Sequence, residues 1–163
     1  MSVSRNGALN WVTPMKDEHH EREIRALRWY ARFKGLELLP TDPNNRWCPY
    51  DGLLMMPNGS VAEVLDFKYL GKTGPHNSTA FWLPMDSVAA KGAFCDMLEA
   101  DPVIVLSHAT DTGRAISRLV VYPPYPVVQA KFWSTRDPEN QGSHERDQFA
   151  VPWSCFEAIF IKE

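Results

Sequence analysis

Asp51, Asp66 and Lys68 are the residues of this chain whose types and spacing suit them to chemistry. They lie at the open end of an apolar hairpin, "PYDGLLMMPNGSVAEVLDFKYL" at residues 49–70. Its Pro57-Asn58-Gly59-Ser60 segment contains Asn-Gly, the strongest short-range hairpin signal. A two-residue Asn-Gly loop and a four-residue Pro-Asn-Gly-Ser loop both set Asp51 opposite Asp66. An odd-length loop or a bulge would break that register. Directly opposed residues project to one face with Cβ atoms roughly 4.5–5.5 Å apart. Lys68 shares the face because side chains alternate with period two. Like charges so placed repel unless water covers them, one keeps its proton, or a cation lies between them.

A solvated Asp66–Lys68 ion pair is the plainer alternative. The hairpin argues against it. Leu53, Met55 and Val64 share the acidic face, while Leu54, Val61, Leu65 and Phe67 lie on the reverse with Glu63 and Tyr69. Apolar residues on both faces imply a central hairpin covered from two sides. A covered carboxylate pair calls for a compensating ion. Magnesium takes one or two carboxylates and retains several waters.

The elements that must position these groups follow from the flanking pattern. Residues 16–34, "KDEHHEREIRALRWYARFK", have helical character, with acidic residues first, basic ones later and Gly35 as the stop. Residues 1–15 read as irregular, ending at Thr13-Pro14. A short strand "LELLP" and a loop lead into the hairpin, and a Gly/Pro/Ser/Thr-rich connection leaves it. "MDSVAAKGAFCDMLEA" is a second helix, with Asp86 or Ser87 as cap and Gly92 as a weak point. "PVIVLSHA" and "AISRLVVYP" read as strands joined by a turn at residues 110–113. Residues 123–148 read as loop-rich, and "FAVPWSCFEAIFI" closes the chain as strand or short helix. The sum is one mixed α/β domain over residues 1–163.

Asp51, a strand turning back, and then Asp66-Phe67-Lys68 resemble the PD-(D/E)xK nuclease superfamily. "PYD" stands for the first part of that signature and "DFK" for the second, although the proline is not adjacent to Asp51. The resemblance covers about residues 16–122 and leaves 123–163 as a C-terminal extension. It implies a restriction-endonuclease-like core, a central mixed β-sheet with a helix on each side. It also implies a Mg²⁺-dependent DNA nuclease in which Mn²⁺ substitutes. Asp51 and Asp66 would hold the ion, and Lys68 would orient the attacking water or neutralise developing charge. Many members add a first-helix glutamate as a further ligand. Helical spacing puts Glu23 with Leu27 and Tyr30 on the core-facing side, whereas "HERE" favours Glu21 by resemblance to archaeal junction-resolving members. Members of this size often cut as homodimers.

Arg22, Arg25, Arg28 and Arg32 form a basic helical stripe, either a phosphate-contacting surface or a solvated face. Lys72 and Lys91 are weaker candidates for backbone contacts, and Trp82 and Trp133 for base stacking. His19 and His20 point about 100° apart on a helix and do not share an ion easily. His108 and His144 lack ligand-spaced partners. No phosphate-binding Gly-rich loop, Gly-x-Ser-x-Gly or His-Glu-x-x-His motif occurs.

Bulk properties bound the alternatives. With 163 residues, 44% hydrophobic and 23% charged, the chain can bury a core. Its three scattered cysteines, its lack of an apolar leader and its lack of a long apolar run point to a cytoplasmic protein outside the membrane. The net charge of −3 gives no global basic footprint. A second expectation therefore stands beside the enzyme: a catalytically inactive nuclease-fold protein that binds nucleic acid or a protein partner.

Overall fold

A computed structural model describes residues 8–42, 44–45, 48–134 and 142–160, with the side chains at 8–17, 130–134, 142–145 and 160 left aside. The fold is mixed α/β, with two helices, a six-stranded mixed sheet and a three-stranded antiparallel sheet. Helix α1 (Ala8–Lys34) starts well before the expected residue 16. Thr13-Pro14 looked like a break because proline removes a helical donor; the helix instead runs through it. At its other end Gly35, with φ +69°, turns the chain, and the Leu36 amide closes onto the Ala31 carbonyl at 3.0 Å.

The six-stranded sheet has the order β1 (Glu37–Pro40), β2 (Gly52–Met55), β3 (Val61–Tyr69), β5 (Asp101–Thr110), β6 (Gly113–Val120), β9 (Glu157–Phe160). Only β3 and β5 are parallel, which requires a crossover between them. That crossover contains β4 (Ala80–Pro84) and α2 (Met85–Leu98). The sequence pattern assigns no element to residues 80–84, which form β4. Its partner is distant, because β4 pairs with β8 (Gly142–Pro152), which pairs with β7 (Val127–Ser134). The stretch read as loop-rich therefore contains a hairpin. Its prolines and charges hide the alternation that normally marks a strand. The closing segment ends β8, makes a 3-10 turn at Trp153–Cys155 and returns as β9 beside β6. Residues 123–163 thus contribute to both sheets.

Alternation along the central strands divides the core. Leu54, Leu65, Phe67, Val103 and Val105 pack against Ala26, Leu27, Tyr30 and Ala31 of α1. On the opposite face, Leu53 and Val64 pack against Cys95 of α2. Ile104 and Leu106 pack against Phe81, Leu83 and Val151 of the smaller sheet. A helix does lie on each side, but α2 shares its side with a second sheet. Helix α2 is capped at Pro84 without a side-chain hydrogen bond, so neither Asp86 nor Ser87 serves as the cap. Among the described residues no helix is long and apolar enough to cross a membrane.

Candidate functional site

The hairpin reaches the expected register by an unexpected route. Met55 pairs with Val61, so the loop holds five residues, an odd number. A bulge between Leu54 and Met55 then restores the pairing, giving Leu54 opposite Glu63, Leu53 opposite Val64 and Gly52 opposite Leu65. Two departures, either of which would have flipped the faces, cancel. Gly59, with φ +87°, supplies the left-handed residue in the turn.

Asp51 comes immediately before β2. Its amide donates to the Leu65 carbonyl at 2.9 Å, and its own carbonyl accepts from the Thr41 amide at 3.0 Å. The Phe67 amide donates to Asp51 Oδ2 at 2.7 Å. These contacts fix the carboxyl beside that of Asp66, to which it is hydrogen-bonded. Burial, followed by the Asp66 charge and that hydrogen bond, pushes Asp51 up to about 8; the field of Glu23 adds to the rise, while the Phe67 amide opposes it. Burial also disfavours an ionised Asp66, but Lys68, Lys91 and the Asp51 hydrogen bond outweigh it and hold Asp66 below the usual carboxylate range. The pair shares one proton, carried by Asp51.

Two lysines meet the same oxygen of Asp66. Lys68 Nζ lies 3.4 Å from Oδ2, and Lys91 Nζ makes a closer hydrogen-bonded ion pair with it. The sequence offers Lys91 as a weaker backbone-contact candidate; in the structure it pairs with Asp66. A signal for this exists in the sequence. Val88, Lys91 and Cys95 follow helical spacing, and Cys95 is buried against β2 and β3. Lys91 thus lies on the sheet-facing stripe of α2. Beside the centre a cavity of about 960 Å³ is lined by Asp66, Lys68, Ser87, Lys91, Leu83 and Arg146.

The other candidates are dispersed. Glu23 is half-buried, with His20 3.5 Å from its carboxylate, and its charge reaches Asp51; Glu21 is exposed. Arg22 stacks on the Tyr69 ring at 3.9 Å, and Arg114 stacks on the same ring at 4.2 Å. Arg25, Arg28 and Arg32 are exposed on α1, as are Lys72 and Trp82 elsewhere. His108 is a buried core histidine, with Nε2 2.9 Å from Ser117 Oγ and Nδ1 3.0 Å from the Ala109 carbonyl. The side chains of Trp133 and His144 lie outside the described residues.

Among the described residues, no three His, Cys, Asp or Glu side chains gather as a metal-binding group. No family model, curated protein or solved structure matches the chain.

Proposed function

We propose that the chain is a divalent-metal-dependent DNA nuclease, a phosphodiester hydrolase with a restriction-endonuclease-like core of the PD-(D/E)xK type. The observation that carries this reading is the contact between the Asp51 and Asp66 carboxyls with Lys68 3.4 Å from Asp66. An acid whose proton is retained to about pH 8 by burial and by a neighbouring carboxylate is in electrostatic conflict. A divalent cation relieves that conflict, and hard carboxylate oxygens suit Mg²⁺ or Mn²⁺. The two carboxylates therefore fit the ion, with Asp51 and Asp66 holding it, while Glu23 acts on Asp51 from α1 through its charge.

Such an ion, when bound, supplies a Lewis acid and a more acidic water. The chain's own residues do the rest. Lys68 offers an ammonium to the attacking water or to charge gathering on the phosphoryl oxygens. Arg22, with the outer arginines Arg25, Arg28 and Arg32, offers guanidinium groups to flanking phosphates. Lys72, just beyond β3, extends that basic surface. A homodimer would present two such centres to two strands.

An alternative reading, an inactive nuclease fold that binds nucleic acid or a protein, draws on Lys91, whose ion pair neutralises Asp66 without a metal. A cleavage assay separates the two. Linear, nicked, branched and single-stranded DNA, with RNA in parallel, are incubated with Mg²⁺ or Mn²⁺. Metal-dependent cleavage abolished by Asp66→Ala is expected. Absence of cleavage on every substrate, or a fully active Asp66→Ala protein, would overturn the enzyme reading.

A further inference from the structure

We infer that Lys91 is an exchangeable counter-ion: it holds Asp66 in the metal-free protein, and releases it on metal binding to reach a substrate phosphate in the adjoining cavity. This rests on the nuclease reading and adds a substrate-binding residue from α2 to it.

Three observations carry the inference. Lys91 and Lys68 contact the same oxygen, Asp66 Oδ2, and Lys91 makes the closer contact. A Mg²⁺ ion seated on that oxygen needs it at about 2.0–2.1 Å in a near-octahedral shell, and an ammonium pressed against it occupies the approach. Lys91 must therefore yield when the ion is bound. The second observation is where it can go. Lys91 lines the cavity of about 960 Å³ that also borders Asp66 and Lys68, so a rotation of its stem moves the charge into open space without moving α2. The third is charge. A metal-loaded centre flanked by Lys68 and a released Lys91 is locally cationic, which favours a phosphodiester anion at that end of the cavity, although Asp86 and Asp96 also line it.

Lys68 is less suited to this exchange. It rises from β3 two residues beyond Asp66 and stands farther from the shared oxygen. It therefore neighbours the carboxylate whether or not Lys91 is engaged.

The experiment uses the full chain, with Mn²⁺ alone as the probe. Calorimetric titration compares the wild type with Lys91→Met and Lys91→Arg. Amine acetylation of the wild type, read by mass spectrometry, follows Lys91 with and without Mn²⁺. Lys91→Met is expected to bind Mn²⁺ about tenfold more tightly, because a competing and repelling charge is gone. Lys91→Arg is expected to stay near the wild type, and acetylation of Lys91 is expected to rise when Mn²⁺ is added. Equal or weaker Mn²⁺ binding by Lys91→Met, or unchanged acetylation of Lys91 on metal loading, would overturn the exchange and leave the nuclease reading intact. Absence of Mn²⁺ binding by the wild type would overturn both. The acetylation measurement needs no variant, so it decides the matter even if Lys91→Met fails to fold.

Discussion

The Phe67 amide donates to the side chain of Asp51 at 2.7 Å, where a regular strand pair would offer it a main-chain carbonyl. The Asp51 carbonyl is turned instead to Thr41. One carboxyl oxygen thus ends the β2–β3 ladder and fixes the acid against Asp66. Burial and the neighbouring Asp66 charge favour the protonated acid, while the Phe67 amide favours the carboxylate.

A pH dependence follows from the pair. Asp51 titrates at about 8 in the fold and near 3.9, roughly, when unfolded. Between those values the folded state keeps a proton that the unfolded state has lost, so stability falls as pH rises. The slope is at most about 1.4 kcal/mol per pH unit. Asp66, held low, acts in the opposite sense, and its contribution is lost only as pH falls into the acid range. Thermal unfolding of the metal-free protein from about pH 5 to about pH 9 should therefore show a declining Tm. Asp51→Asn keeps an acceptor for Phe67 and should flatten that decline. Parallel curves for the two proteins would contradict the shared proton.

Glu63 serves stability on the reverse face of β3. It is buried, accepts from Tyr30 Oη at 2.6 Å, and lies 3.2 Å from Lys34 and 3.7 Å from Arg118. Burial and Glu63 hold the Tyr30 phenol well above its ordinary value. Glu63→Ala should lower the unfolding free energy by about 3–5 kcal/mol, because Arg118 loses its buried partner. Tyr30→Phe should cost about 1–3 kcal/mol. Denaturant unfolding measures both, and cleavage per folded molecule should not change.

The two helix glutamates separate by metal affinity. Glu23 acts on Asp51, and Glu21 is exposed. Glu23→Gln should weaken Mn²⁺ binding by about tenfold, whereas Glu21→Gln should leave it unchanged. The reverse order in calorimetry would reassign the helix contribution to Glu21.

The acidic pair was legible because a hairpin's faces follow from Asn-Gly and period two. Even so, its register depends on a bulge between Leu54 and Met55 and an odd loop that compensate each other, and no local pattern marks either. Helix α1 was legible over its core-facing stripe of Leu27 and Tyr30 and at its Gly35 stop, but not at its start, where Pro14 suggested a break. The smaller sheet was hidden for a different reason. β4 gains its strand character from β8, far along the chain, and β8 carries charges where apolar alternation would reveal a strand. Lys91 was legible as a candidate, but its contact with Asp66 was not, because it spans the crossover and only the Val88–Lys91–Cys95 spacing turns it toward the sheet.

The account's central claim is that Asp51 and Asp66 together hold a divalent ion. Calorimetric titration of the metal-free protein with Mn²⁺ tests it most directly, comparing the wild type with the Asp51→Ala/Asp66→Ala double variant and checking the fold of each by circular dichroism. Saturable binding by the wild type, lost in a folded double variant, is the predicted result. Wild-type affinity in the double variant, or no binding by the wild type, would contradict it.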